Sequence, residues 1–183
     1  TWLTAYVARS FRQAKPFITI DQSVVDDALR FLQRKQKDNG EFMENRPVGG
    51  YFSKRSTEKG LPLTAFVLAT LAENGLKNSK ALEYLESGLE EARSPYSLAV
   101  LAYAFQLSNS SKKDKAWDLL SNAAKTKDDF RYWSSEEEAA EGQWRPPPSE
   151  SVETTAYALK THALREETEE AAGIVRWLAA KRN

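Results

Sequence analysis

One short pattern, with small residues beside a single aromatic residue, recurs along the chain and constrains its fold more than any other feature. It occurs as LTAYV at 3–7, LTAFV at 63–67, LAYAF at 101–105 and TTAYAL at 154–159. Each copy belongs to a segment with apolar residues at helical spacing. The copies at 63–67 and 101–105 lie in segments that are apolar nearly all round, which is typical of buried helices. We therefore predict inner, buried helices that alternate with outer, amphipathic ones.

Eight helices are predicted from apolar periodicity and from residues suited to helix ends. Asp21 is a suitable N-cap for the second helix, and Ser94 followed by Pro95 suits the start of the fifth. Pro62 suits the first position of the third helix, and Gly75 suits its C-terminal end. The predicted helical segments are 2–14, 22–32, 62–75, 79–92, 95–107, 111–125, 151–164 and 169–182. No segment is predicted to be a strand, and the Pro146-Pro147-Pro148 run places a long loop at 126–150.

The helix pairs predict an all-α fold of the α/α toroid type. Two outer segments also match each other, LRFL at 29–32 and VRWL at 175–178, and each is followed by a basic tail. Repeated hairpins with a recurring signature are typical of stacked or toroidal architecture, and an irregular helical bundle is the alternative. A closed toroid has about six hairpins, and four are visible here. We therefore expect residues 1–183 to form a single partial domain, with further material at both ends.

Charge and residue usage exclude several classes of function. Lys plus Arg and Asp plus Glu both number 26 in the 183 residues, so the chain is not expected to bind nucleic acid. No apolar run approaches 18 residues, so no membrane insertion is expected. There is no cysteine and only one histidine, which argues against disulfides, a zinc site or a cysteine nucleophile. No phosphate-binding or dinucleotide-binding glycine motif is present, and we predict neither a metal nor a cofactor.

An ordered set of segments resembles one known family. KQKDNGEF at 35–42, LTAFVLATL at 63–71 and VRWLAAKRN at 175–183, with the tryptophan-bearing stretch 131–159, are similar to the thioester-containing domain of the alpha-2-macroglobulin and complement superfamily. The similarity covers the whole chain and is greatest to the alpha-2-macroglobulin, CD109-like and insect thioester-containing branch. The resemblance implies a six-hairpin α/α toroid within a large secreted or cell-surface protein. It also implies an internal thioester between the cysteine and glutamine of a Cys-Gly-Glu-Gln motif, which activation by proteolysis exposes to nucleophiles.

The chain departs from that family in two places. Without cysteine it contains no thioester residues, so the motif is expected upstream of Thr1 or has been lost. Many relatives carry a histidine in the loop that corresponds to 45–60, and this imidazole attacks the thioester before a hydroxyl acceptor does. Here Pro47-Val48 is followed by Gly49, Gly50 and Tyr51. Either Gly50 occupies the histidine position or the loop is shortened, and both alignments remove the imidazole.

The acceptor-side loop is therefore one candidate site, with a plain helix connection as the alternative. The only histidine, His162, lies on the seventh predicted helix, where a structural role is favoured over a catalytic one. Trp133 and Trp144 are candidate partner contacts, or residues that hold the 126–150 loop onto the core. Asn109, in the sequon Asn109-Ser110-Ser111, is a candidate glycosylation site.

Acidic runs at 90–91, 136–138 and 166–170 raise a glycosidase alternative. These runs lie in a predicted loop or at helix ends, where charges are normally solvated, so the chain is not expected to be an enzyme.

We therefore expect part of a secreted innate-immune thioester protein, of the opsonin type, that attaches covalently to microbial surfaces or proteases after proteolytic activation. The alternatives are a protease-trapping inhibitor of the alpha-2-macroglobulin type and a non-reactive binding scaffold. The expected partners are the microbial or protease target and the other domains of the parent protein.

Overall fold

The computed structural model describes residues 1–44, 58, 60–135 and 149–181. This part of the chain is all-α, as predicted, apart from two short strands and one 3₁₀ turn, Leu89–Glu91. The helices are α1 Trp2–Ala14, α2 Gln22–Arg34, α3 Leu61–Glu73, α4 Ser79–Gly88, α5 Pro95–Leu107, α6 Lys113–Asn122, α7 Ser149–Arg165 and α8 Thr168–Ala180. None of the helices in these ranges is both long enough and apolar enough to cross a bilayer.

The chain divides into two units, Thr1–Ala92 and Arg93–Asn183, each containing four helices within the described ranges. In the N-terminal unit α1 packs against α2 and α3, and α3 packs against α4. In the C-terminal unit α5 packs against α6 and α7, and α7 packs against α8. Consecutive helices thus pair as the repeat predicts. The closed toroid stays a prediction.

Burial separates inner from outer helices. Helix α3 is buried on all sides from Thr64 to Leu71, and α5 from Tyr96 to Phe105. By contrast, α4 buries only Ala81 and Leu85. This difference confirms that helices with apolar residues all round form the core.

Helix α1 does not bury the large residues of its predicted apolar stripe. Its buried face is centred on Ala5 and Ala8, while Leu3 and Tyr6 of the predicted apolar stripe are 63% and 51% exposed. Alanine side chains allow α1 to lie close to α3, which turns the larger side chains of the stripe away from that contact. Arg9 is buried on the same face, where its guanidinium pairs with Glu73 at 2.8 Å.

The predicted helix ends agree with the structure to within one residue or a few. The Asp21 carboxylate accepts from the Ser23 backbone N–H at 2.9 Å, and the Ser94 hydroxyl accepts from that of Ser97 at 3.1 Å. Gly75 follows α3 with φ of +78°, as expected for a residue that ends a helix. Pro62 is the second residue of α3 and not the first, because Gly60 serves as the N-cap.

The repeated sequence pattern corresponds to a repeated set of hydrogen bonds. Each copy at 4–10, 64–70 and 155–161 reads Thr-Ala-aromatic, followed four residues after the aromatic by Ser or Thr. In every copy the last hydroxyl donates to the carbonyl oxygen of the aromatic residue: Ser10 to Tyr6 at 2.8 Å, Thr70 to Phe66 at 2.9 Å, and Thr161 to Tyr157 at 3.0 Å. The resemblance between the helices thus extends to their side-chain contacts.

The prediction that no strand is present was wrong. Strands β1, Lys125–Lys127, and β2, Phe130–Tyr132, form an antiparallel hairpin whose turn contains Asp128 at φ of +52°. Helix α6 accordingly ends at Asn122, before the predicted residue 125. Strands of three residues are too short to show an alternating pattern. The hairpin packs against α8, where the Tyr132 ring of β2 stacks on the Trp177 ring with centroids 5.1 Å apart.

Candidate functional site

The candidate loop residues Gly49, Gly50 and Tyr51 lie outside the described residues, as does Trp144. Their assignments therefore stay predictions. What the structure defines is the base of segment 45–57, formed by residues 36–44, by Gly60 and by parts of α1, α3 and α4. We call this group of residues the loop base.

The chain approaches the segment through a tight turn. Gln36 and Phe42 form an isolated antiparallel bridge, and the Gly40 backbone N–H donates to the Lys37 carbonyl at 3.0 Å. Gly40 has φ of +93°, and its α-carbon packs against the backbone carbonyl of Lys80 in α4. A side chain at this position would collide with that carbonyl, so the turn requires glycine.

A buried hydrogen bond attaches this turn to α3. Phe42 is fully buried, and its backbone N–H donates to the side-chain oxygen of Thr64 at 2.9 Å. Thr64 is itself fully buried in the second position of LTAFV. Periodicity did not single out Thr64, although a threonine at the same position of TTAYAL was a usable signal.

The last described residues before the segment contact the start of α1. The Glu44 carboxylate accepts from the Trp2 backbone N–H, and the Thr1 hydroxyl donates to the Met43 carbonyl at 2.9 Å. A carboxylate at the first turn of a helix satisfies an otherwise free N–H and favours the helix dipole. After the segment, Gly60 has φ of +72° and lies against the Glu41 carboxylate. Glu41 therefore brings the two ends of the segment together.

Glu41 makes the central charged contact of the loop base. Its carboxylate pairs with the Lys37 ammonium at 2.9 Å. Burial raises the pKa of Tyr84 to about 12, with a further contribution from the nearby carboxylates of Glu41 and Glu91. The Tyr84 phenol thus stays protonated at neutral pH. No residue described at the loop base is a histidine or cysteine, so the base positions the segment without contributing an imidazole or a thiol.

His162 is a core residue of the C-terminal unit. It is fully buried on α7, with its ring edge-on to Trp117 of α6 at a centroid distance of 4.5 Å. Neither ring nitrogen hydrogen-bonds to another described residue, and Nδ1 lies 3.5 Å from the Glu167 carboxylate. Burial lowers the pKa of His162, the Arg131 charge lowers it further, and the carboxylates of Glu167 and Glu170 raise it. This geometry fits the structural role and not the catalytic one.

Trp133 is buried, so the interpretation of this residue as an exposed partner contact is wrong. Its indole Nε1–H donates to the Leu120 carbonyl at 2.7 Å, and its backbone N–H donates to the Thr155 hydroxyl at 3.1 Å. An indole with a hydrogen-bonded N–H is a typical core residue. The Ser151 hydroxyl of α7 donates to the Ser134 hydroxyl at 3.0 Å, so the residues just before segment 136–148 are attached to the helix that follows it.

Asn109 is exposed in the turn between α5 and α6, with φ of +50°. Its Oδ1 atom accepts from the Lys113 ammonium at 2.7 Å. This bond uses the amide oxygen and not the amide nitrogen, which is the atom that a glycan would modify.

The acidic runs occupy helix ends where the structure describes them. Glu90 and Glu91 lie in the 3₁₀ turn, and Glu169 and Glu170 lie in the first turn of α8. Carboxylates in a first turn complement the helix dipole. Glu136, Glu137 and Glu138 fall outside the described residues.

Comparison with known proteins gives a consistent result. The family model of the A-macroglobulin TED domain matches residues 1–183. The chain is also similar to thioester-containing protein 1 allele S1 of Anopheles gambiae, with 29% identity over 191 residues. That alignment covers 99% of this chain and 13% of the relative's length, so the chain spans about an eighth of that protein. The chain belongs to the A-macroglobulin TED domain family.

Proposed function

We propose that this chain is part of the thioester-containing domain of a secreted innate-immune protein, which attaches covalently to a microbial surface or protease after proteolytic activation. The observation that carries the proposal is the family match over residues 1–183. Because this chain has no cysteine, the thioester would form between residues outside 1–183, and the family resemblance implies a position upstream of Thr1. The helices of this chain would form part of the α/α toroid that shields the bond before activation.

The acceptor preference follows from the missing loop histidine. An amine attacks the thioester carbonyl carbon directly, a C–N bond forms, the C–S bond breaks, and the released thiolate accepts a proton from the amine. Hydroxyl groups are weaker nucleophiles and need an imidazole intermediate or a base. Segment 45–57 contains no histidine, and His162 is buried. The thioester of the parent protein should therefore prefer amines to hydroxyls.

The experiment treats the full-length parent protein with methylamine and counts free thiols. One new thiol, together with a methylamide on a glutamine upstream of Thr1, supports the covalent function. Absence of both changes in native, unactivated protein would favour the non-reactive scaffold. Subsequent competition between methylamine and glycerol measures acceptor preference, and equal use of glycerol would contradict the assignment to amines.

Glycosylation at Asn109 is a corollary of secretion. The site is exposed, its Oδ1 accepts a hydrogen bond, and the amide nitrogen is available to an oligosaccharide. Glycosidase treatment of the protein expressed in insect cells should lower its mass, and Asn109→Gln should abolish that change. An unmodified Asn109 in the secreted protein would remove this assignment.

A further inference from the structure

A cleft in the N-terminal unit lies between α1, α2 and the turn that follows α3. Its volume is about 260 Å³. The lining is mixed, and its apolar part includes Val25 and Leu29 of α2 and Leu76 of the turn. Val25 and Leu29 are buried, at 5% and 6% exposure, so the cleft opens onto the edge of the hydrophobic core.

The rim of this cleft carries an excess of positive charge. Arg12 and Lys15 of α1 and Arg30 of α2 line it, and Asp26 is the one acidic residue among the lining residues. The chain as a whole has equal numbers of acidic and basic residues, so the lining is more basic than the average of the chain. A cleft that combines apolar side chains with several cations is suited to a ligand with both an apolar body and a negative charge.

The charged groups on the rim differ in whether another side chain already contacts them. The Lys15 ammonium donates to Gln22 Oε1 at 2.9 Å, and Gln22 Nε2 donates to the Asp26 carboxylate at 2.9 Å. The Arg30 guanidinium pairs with Asp27. Arg12, in contrast, is exposed and forms no ion pair or hydrogen bond through its side chain with the residues that the structure describes. Arg12 is therefore available to a ligand.

We propose that this cleft binds a small organic anion, a carboxylate or sulfonate attached to a compact apolar body. The apolar body would contact Val25, Leu29 and Leu76, and the anionic group would pair with Arg12. Guanidinium groups form paired hydrogen bonds with carboxylates and related anions, which favours a ligand of this charge. This binding site lies in the N-terminal unit and is independent of the proposed thioester chemistry.

Two probes with the same aromatic body test the proposal on the 183-residue chain. 8-Anilinonaphthalene-1-sulfonate carries a negative charge, and N-phenyl-1-naphthylamine lacks it. We expect saturable 1:1 binding of the sulfonate, about fivefold tighter than that of the neutral probe, which corresponds to one partly solvated ion pair. Added salt should weaken sulfonate binding and leave binding of the neutral probe unchanged. Amide NMR signals of Arg12, Leu29 and Leu76 should shift on binding.

Variants assign the binding to the cleft. Arg12→Gln should weaken sulfonate binding about fivefold, and the matched control Arg34→Gln, at an exposed arginine outside the cleft lining, should not. Gln33 is an exposed lining residue at which a charge of either sign can be introduced. Gln33→Glu should weaken the affinity for the sulfonate, and Gln33→Lys should strengthen it. Equal affinities for the two probes, no effect of Arg12→Gln, or NMR shifts confined to the exposed Leu3 and Tyr6 would each overturn the proposal.

Discussion

The backbone N–H of Phe42 donates to the side-chain oxygen of Thr64 at 2.9 Å, in a contact that is buried and joins residues 22 positions apart. The C-terminal unit contains the same arrangement, because the N–H of Trp133 donates to Thr155 at 3.1 Å, also 22 positions apart. In both units a threonine of an inner helix thus binds the backbone of a fully buried aromatic residue in the preceding connection. In α3 and α7 the repeat therefore links the inner helix to the base of a long connecting segment.

Replacing either anchoring threonine should destabilise its own unit. Thr64→Val and Thr155→Val keep the shape of the side chain and leave a buried backbone N–H without an acceptor, which costs about 1–3 kcal/mol. Urea unfolding followed by circular dichroism measures the loss.

Thr70→Val and Thr161→Val are the matched controls in the same two helices. Each of these buried hydroxyls donates to a helix carbonyl four residues earlier. That carbonyl lies within a helix and keeps its backbone partner, so the expected loss is smaller, about 1 kcal/mol or less. Equal losses for anchor and control would show that the Phe42 and Trp133 bonds contribute nothing specific.

Gly40→Ala should destabilise the N-terminal unit by about 3 kcal/mol, because the new methyl group meets the Lys80 carbonyl and φ is +93°. Gly75→Ala separates the two causes, since Gly75 has φ of +78° but no atom beyond its own residue and its two chain neighbours lies within 4 Å of the place its new methyl group would occupy. Only backbone strain applies there, and the expected loss is about 1 kcal/mol. Thermal unfolding of both variants checks this difference, which a similar loss in both would contradict.

His162 should make the protein less stable as the pH falls below about 6.5, the usual histidine pKa. The lowered pKa of His162 in the folded state means that the unfolded chain takes up this proton first. Stability is therefore complete above the unfolded pKa and decreases as the pH falls toward the folded pKa, with a slope of at most about 1.4 kcal/mol per pH unit. Asp21 and Asp114 also have lowered pKa values, but protonation of their carboxylates affects stability only below about pH 4.

The variant His162→Leu tests that origin. Since both ring nitrogens lack a hydrogen-bond partner among the described residues, an apolar side chain should change stability at pH 7 by about 1 kcal/mol or less. Its free energy of unfolding should vary less between pH 7.5 and 5.5 than that of the wild type. If the free energy of unfolding fell equally with pH in both proteins, the loss of stability would be due to groups other than His162.

Gly50→His in the full-length parent should restore an imidazole to the acceptor-side loop. If the proposed thioester is present, glycerol incorporation should rise about tenfold or more relative to methylamine, because nucleophilic and base catalysis by imidazole assists hydroxyl acceptors. Gly49→His is the control for the neighbouring position. An unchanged acceptor ratio in both variants, with the thioester intact, would indicate that this loop does not determine acceptor choice.

Local sequence patterns predicted the helices well. Apolar spacing located all eight, and Asp21, Ser94 and Gly75 marked ends that the structure reproduces. These signals succeed because a helix bonds residues four positions apart, so its pattern lies within a short window. The β-hairpin was missed because its three-residue strands contain too little pattern, and its contact with Trp177 depends on a distant helix.

The sequence by itself determined the class of fold, the family resemblance, the lack of cysteine and the lack of a histidine in segment 45–57. Only the tertiary structure decided that Trp133 is buried, that Thr64 and Thr155 hold the connections, and that Arg12 lines a cleft with Val25, Leu29 and Leu76. The physical reason is the range of the interactions involved. Periodicity and capping act over one or two helical turns, whereas burial and charge pairing depend on which distant segments pack together.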